Sequence, residues 1–269
     1  MKRLLGYLAY ALIGAFIFGT TANADTAPYT PQIGQDGKDV IWVPTDQDMV
    51  EVMLDMAELK PDDRLVDLGS GDGRTVITAA KRGIHARGIE YNPKLVELAQ
   101  RHARAERVDD RATFEQADIF ETDFSDATVV TLFLLPTLNM RLRPTLLDMA
   151  PGTRVVSNSF DMEDWTPDET RKVSEDCKGR CDVHKWIVPA KVGGTWALGD
   201  QELVIEQTFQ VLEGTLGQGA AGQAISDARL NGNNIVFTAD GKRYEGMIDG
   251  EQMRGTVDGK PWSAGRNAS

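Results

Sequence analysis

Several residue types are scarce in this sequence, and each scarcity removes a class of chemistry. The chain holds two cysteines and three histidines in 269 residues. His184 stands three positions past Cys181, but three candidate ligands without a fourth do not make a zinc set, and no Cys-x-x-Cys-His haem signature occurs, so no metal site is expected. His85 and His102 fall on presumed helix or loop surfaces, and no hydroxyl or thiol is paired with a base in a recognisable nucleophile arrangement. Positive charge is also in short supply. Against 41 acidic residues there are 29 Lys and Arg, for a formal net charge of −12. A surface of that sign repels a phosphate backbone and argues against nucleic acid as a partner. Cys177 and Cys181 sit in "CKGRC". They could close a short disulfide in an oxidising compartment or remain free thiols in a hairpin loop, and spacing decides neither.

One long apolar run lies at the amino terminus. Lys2 and Arg3 precede apolar residues 4–18, and Ala22-Asn23-Ala24 supplies small residues at cleavage spacing. That pattern predicts a secretory signal peptide over residues 1–24, a mature chain from Asp25, and a periplasmic or secreted protein. The alternative is an uncleaved inner-membrane anchor, although a spanning helix wants about 20 apolar residues. In both cases the domain faces outward. Residues 25–40, with Pro28, Pro31, Gly34 and Gly37, read as an extended lead.

Beyond residue 40 the pattern is regular. Met49, Val50, Met53, Leu54, Met56 and Ala57 recur at helical spacing and predict an amphipathic helix ending before Pro61, with its methionines as core filler. From Arg64 short β runs alternate with helices: "RLVDL", "RTVITAAKRG", "ARGIE", "PKLVELAQRHARAERV", "ATFEQAD", "ATVVTLFLL", "LNMRLRPTLLDMA", "GTRVVSNSF" and "VHKWIVPA". Pro144 is expected to interrupt the helix after the fourth strand. This alternation predicts an α/β fold, a doubly wound and mainly parallel sheet, over residues 41–192. The texture changes at Gly193. Short alternating runs and the turn pairs Asn231-Gly232, Asp240-Gly241, Asp249-Gly250 and Asp258-Gly259 predict a small antiparallel all-β domain over residues 193–269, a meander or a barrel.

The glycine-rich bend "VDLGSGDGR", residues 66–74, carries the functional reading. A dinucleotide fingerprint needs a third glycine where Arg74 stands, and no Gly-Lys-Ser/Thr ends the loop as a phosphate-binding turn requires. A pyrophosphate ligand is therefore disfavoured. An adenosyl ligand with a cationic amino-acid tail fits better. Gly69 and Gly71 allow close backbone approach, Asp67 supplies negative charge, and the following helix start favours a carboxylate. Glu90, ending the second strand, can accept both ribose hydroxyls. Asp118, after the third, is placed for the adenine amino group, with Tyr91 and Ile119 flanking the ring. Ser70, Asp72 and Gly73 complete the candidate cofactor-binding set, and Arg74 is expected either to pair with an acid or to cover the helix start.

Together "VDLGSGDGR", "GIEYNP" and "ADIF" resemble the first three motifs of class I S-adenosylmethionine-dependent methyltransferases. "WVPT", "FLLP" and "GTRVVSNSF" narrow the resemblance to a bacterial branch related to the mitochondrial protein-lysine methyltransferases of adenine nucleotide translocase and the c subunit of ATP synthase. The resemblance spans about residues 43–196. It implies a seven-stranded sheet with an antiparallel last strand, S-adenosylmethionine as cofactor, and a lysine side chain as acceptor. A lysine must be neutral to accept the methyl, so either burial beside an aromatic wall lowers its pKa or a base takes the proton. Trp42, Thr45, Phe133, Leu135 and Pro136 are the candidates for lining that site. No "NPPY"-type stretch follows the fourth strand, which argues against a nucleobase or glutamine amine. The acceptor is then a protein or a small molecule, and the β domain is a candidate for docking an envelope partner. The competing reading is an exported nucleoside-binding module with this fold and no turnover.

Overall fold

The computed structural model describes residues 29–174, 179, 181–218 and 222–267. The predicted leader and Cys177 lie outside the described residues; Cys181 is disulfide-bonded. Among the described residues no helix is long and apolar enough to cross a membrane.

The first body begins with α1 (Gln47–Met56), whose Met49, Val50, Met53, Leu54 and Met56 are all buried. Strands and helices then alternate as β1 (Arg64–Leu68), α2 (Arg74–Lys81), β2 (His85–Glu90), α3 (Pro93–Glu106), β3 (Ala112–Gln116), β4 (Val129–Leu132), α4 (Pro136–Leu147) and β5 (Arg154–Asn158). Two further strands, β6 (Glu169–Lys172) and β7 (Asp182–Ile187), complete a seven-stranded sheet of order β3-β2-β1-β4-β5-β7-β6. β1 to β5 run parallel, and β7 enters antiparallel between β5 and β6. This is the expected doubly wound sheet. Val129–Leu132 is buried at every position, as a central strand covered on both faces must be.

Local chemistry sets the element ends. Asn92 caps α3, its side chain accepting from Lys94 N at 3.0 Å, and Pro93 takes the first helical position, where a missing N–H costs nothing. Pro144 does not interrupt α4, contrary to expectation. It falls in the last turn, and the helix runs on to Leu147. The polar strand Glu169–Lys172 has no counterpart among the predicted elements. It lies at the sheet edge with little burial, so it lacks the apolar alternation that marks a half-buried strand.

From Gly194 the chain forms an antiparallel barrel: β8 (Gly194–Leu198), β9 (Gln201–Thr208), β10 (Val211–Gly217), β11 (Gln223–Ala224), β12 (Ser226–Asn231), β13 (Asn234–Ala239), β14 (Lys242–Asp249), β15 (Gln252–Val257) and β16 (Lys260–Arg266). β9 pairs with β10 and β16 with β8, so eight strands close into a ring, with the two-residue β11 pairing outside it. At Asp240-Gly241 and Asp258-Gly259 both residues have positive φ, as the tight hairpins of right-twisted strands require. The interior is filled by side chains. Phe237 stacks on Tyr244 at 4.6 Å, and Trp262 meets both rings edge-on at 5.9 and 5.8 Å. The barrel is a packed body, as small barrels are.

Candidate active site

The carboxyl ends of β1 to β5 share one edge of the sheet, and the order reverses between β1 and β4. Open α/β sheets bind ligands at such a point. Here a crevice with about 730 Å³ of empty space, open solvent included, is lined by Gly69, Glu90, Tyr91, Leu95, Asp118, Ile119 and Phe133. Residues 35–43 form its roof. That strap is a narrow loop held by its own backbone: Gly34 N donates to Trp42 O and Trp42 N to Gln35 O, each at 2.9 Å.

The bend after β1 is built on glycine conformations. Gly69, Gly71 and Gly73 have φ of 78, 54 and 84°. A methyl group on Gly71 would stand 2.7 Å from Trp42 Nε1, so the strap's indole rests directly on this backbone. Gly71 N also donates to Glu90 Oε2 at 3.0 Å, and Asn92 N donates to Oε1 at 2.8 Å. Two backbone donors thus aim the carboxylate at the end of β2, leaving lone pairs free on each oxygen.

Two cofactor candidates have local partners, although Asp72 also lines the cavity beneath the strap. Gly73 faces the core, where a side chain would strike Phe114 at 2.7 Å and the Ala99 methyl at 2.8 Å, so its need for glycine is a packing need. Asp72 commits its carboxylate to Arg74, at 2.6 Å to Nη2 and 3.0 Å to Nε, and Arg74 Nη1 reaches Thr45 O at 2.7 Å. Arg74 therefore pairs with an acid, one of its two expected roles, and the pair clasps the strap's far end. Ser70 lends its backbone to the site, but its hydroxyl is buried against Gly88 with no hydrogen-bond partner.

Beneath the strap a second cavity runs past Asp67, Gly69, Gly71, Thr45 and Phe133. Asp67 is buried, and its hydrogen bond comes from Thr131 Oγ1 at 2.7 Å. Burial pushes its pKa from 3.8 up to about 7, with Glu90 and Asp72 adding like-charge repulsion against the Thr131 and Thr75 hydroxyls. At the opposite end Lys38 pairs with Asp118, whose other oxygen accepts Phe120 N at 3.0 Å, and lies 5.0 Å from the Tyr91 ring centroid. The Lys38 hydrogen bond holds Asp118 below the usual carboxylate range, and the same bond raises the Lys38 ammonium.

A third, apolar cavity opens outward between Val40, Ile41, Val43, Phe133, Leu134, Leu135 and Phe160. Phe133 and Phe160 stack at 6.1 Å with 18° between planes. All three cavities meet at Val43 and Phe133. Of the five acceptor-lining candidates, Trp42, Thr45, Phe133 and Leu135 line these cavities, and Pro136 instead opens α4 as its first residue. Two residues of the site are invisible to sequence reasoning. Lys38 falls within the extended lead, and Phe160 stands only as the last residue of a strand. The Asp36-Gly37 pair, a turn signal just before an apolar run, is the available hint of the strap.

The donor set fits a cation. Asp67 is a buried carboxyl faced by hydroxyls and by other acids, a costly arrangement until a positive group arrives. A phosphate-bearing ligand would meet repulsion from Glu90, and from Asp67 once ionised, instead. S-adenosylmethionine, cationic at its sulfonium and ammonium, matches the set.

Comparison with known proteins agrees. The family model of the ANTKMT methyltransferase domain matches residues 67–169, ending before the barrel. A protein-lysine N-methyltransferase of Saccharolobus islandicus is 42% identical over 139 residues, covering 51% of this chain and 86% of that protein. The lysine N-methyltransferase of the ATP synthase c subunit from Rattus norvegicus is 34% identical over 167 residues, 61% of this chain and 75% of the relative. Among solved structures, an RNA methyltransferase from Salinibacter ruber in complex with S-adenosyl-L-homocysteine shares 46% identity, with a TM-score of 0.52 over 56% of this chain and 96% of that one. The sheet order, the acidic crevice and these likenesses converge: the chain is an S-adenosylmethionine-dependent methyltransferase and belongs to the family of the ANTKMT methyltransferase domain.

Proposed function

We propose that this enzyme methylates the ε-amino group of a protein lysine. The observation that carries the reading is the apolar vestibule closed by Phe133 and Phe160, which meets the cofactor cavities at Phe133. A lysine stem of four methylenes suits such walls, and an ammonium entering them loses hydration, which lowers its pKa toward the neutral amine. The relatives named for lysine methylation support the same acceptor.

S-adenosylmethionine would supply a sulfonium-bound methyl group for in-line attack by the neutral amine, the C–S bond breaking to leave a neutral thioether while the positive charge passes to the nitrogen as a methylammonium. The chain's own residues position the partners and exclude water. Glu90, oriented by the Gly71 and Asn92 amides, accepts the ribose hydroxyls. Asp67 faces the ammonium of the amino-acid tail, and Gly69 and Gly71 let that tail approach the backbone. Tyr91 and Ile119 flank the adenine. Asp118 receives the adenine amino group once Lys38 shares or yields the carboxylate. Trp42, held over Gly71, keeps the strap closed across the site.

A protein acceptor also suits the charge better than RNA, whose backbone a chain of net charge −12 repels. The deciding experiment offers the purified enzyme S-adenosylmethionine with a lysine-rich protein panel and, separately, with total RNA. Mass spectrometry should find methyl groups on lysine, lost in Phe133→Ala. Methylated RNA with unmodified protein would overturn the assignment.

A further inference from the structure

We propose that the C-terminal barrel is a positioning device for acceptor binding, holding in place the loop that carries Phe160. The inference rests on the acceptor reading above. The loop joins β5 to β6, from Ser159 to Asp168, and different parts of the molecule fasten its two ends. At the first end, the Phe160 ring lies on Phe133 and its carbonyl accepts Ser157 Oγ at 2.6 Å and Asn139 Nδ2 at 3.3 Å. In the middle, Arg143 of α4 donates to Met162 O at 3.1 Å and pairs with Asp164.

At the second end the barrel takes over. Phe209 stacks on the fully buried Trp165, with centroids 6.0 Å apart and 22° between planes. The neighbouring Gln210 donates from Nε2 to Thr166 O at 2.7 Å, and Arg229 reaches Asp168 at 2.5 Å. Three barrel residues therefore grip positions 165, 166 and 168. Phe209 also lies 5.3 Å from the Arg143 guanidinium, so one ring contacts both the loop and the helix side chain that pins it.

The turn that does this is not chosen for its turn chemistry. It joins β9 to β10, where glycine, asparagine or aspartate would fit most easily. It carries instead an aromatic residue at φ 54°, a conformation few bulky side chains adopt, and a glutamine only 3% exposed. The Gln210 carbonyl accepts Leu230 N at 2.8 Å, which ties the turn to the next barrel strand. Phe209 packs with the methyltransferase core cluster rather than with the barrel's own. Such a turn is specified by what it docks against. The loop it holds ends in the vestibule, so fixing Trp165 limits the positions Phe160 can take.

The test uses the full chain with Phe209→Ala, Phe209→Tyr, and Phe237→Leu, a barrel-core change away from the loop. Two readouts are needed. Hydrogen exchange without any acceptor reports the loop itself, whatever the acceptor proves to be. Steady-state kinetics with an unmodified lysine protein that the enzyme methylates report its consequence. Phe209→Ala should speed amide exchange across residues 160–166 and raise the acceptor KM about tenfold, with the cofactor Kd unchanged. Phe209→Tyr should restore both, and Phe237→Leu should change neither. Unaltered exchange in Phe209→Ala overturns the proposal, and so does faster exchange with an unchanged acceptor KM. A wild-type enzyme that methylates no lysine defeats the acceptor reading and leaves the exchange result standing apart.

Discussion

Asp67 is enclosed at the end of β1 with a pKa of about 7, and cofactor binding should therefore depend on pH across the neutral range. In the free protein a protonated Asp67 must lose its proton before it can face an ammonium. With the bound form ionised, the apparent Kd scales inversely with the ionised fraction, giving binding about tenfold weaker at pH 6 than at pH 8. The same linkage predicts release of about 0.9 proton per cofactor bound at pH 6 and about 0.1 at pH 8. Titration calorimetry in buffers of different ionisation enthalpy measures that release directly. The sign for stability runs the other way from an ordinary paired carboxylate. Because the folded value lies above 3.8, the unliganded fold gains from Asp67 below that pH and loses the contribution as pH rises through 7, roughly 4 kcal/mol across the window. Asp67→Asn should flatten both profiles while keeping an acceptor for Thr131 Oγ1. A cofactor Kd that is level from pH 6 to pH 8, with no proton released at pH 6, would refute the reasoning.

Other perturbations separate the roles around the crevice. Glu90→Ala removes the proposed acceptor for two ribose hydroxyls and should weaken S-adenosylhomocysteine binding about 100-fold by calorimetry, since a hydrogen bond to a charged group contributes about 1.5–3 kcal/mol. Gly71→Ala drives a methyl into the Trp42 indole, so it should displace the strap, exposing residues 35–41 to limited proteolysis. Gly73→Ala meets Phe114 and Ala99 instead and should cost roughly 2–5 kcal/mol in urea denaturation, with cofactor affinity of the folded protein unchanged. The proposed leader predicts a mature amino terminus at Asp25, read by mass spectrometry of the protein isolated from its cells; an intact Met1 would defeat it.

Much of this architecture is legible locally. The first five strands follow from apolar runs and the helices between them from 3.6-residue spacing, because both are imprinted on consecutive side chains. The glycine bend is equally readable, since few residue types tolerate positive φ, and the acids at strand ends stand out as charges closing apolar runs. The features that escape depend on contacts between distant segments. Lys38 and Asp118 lie 80 residues apart, and nothing near Lys38 announces its partner. Gly73 has the same letter as Gly71 and a different reason, visible only once Phe114 and Ala99 arrive behind it. Barrel closure hinges on β9 meeting β10 and β16 meeting β8, a register that no single hairpin encodes. Phe209 is one more apolar residue in the alternating runs of the β domain until Trp165 is seen against it.

The pairing of these acids also explains which end of the crevice attracts a cation. Asp118 is matched by Lys38 and Asp72 by Arg74. Glu90 and Asp67 are held by neutral donors, the Gly71 and Asn92 amides and the Thr131 hydroxyl. Negative charge without a paired cation therefore gathers where β1 and β2 end, on the side proposed for the ribose and the amino-acid tail. In a partly dry crevice that charge favours the sulfonium form over its neutral product. Methyl transfer removes the positive charge from the cofactor, so the field that admits it relaxes its hold once the reaction is done.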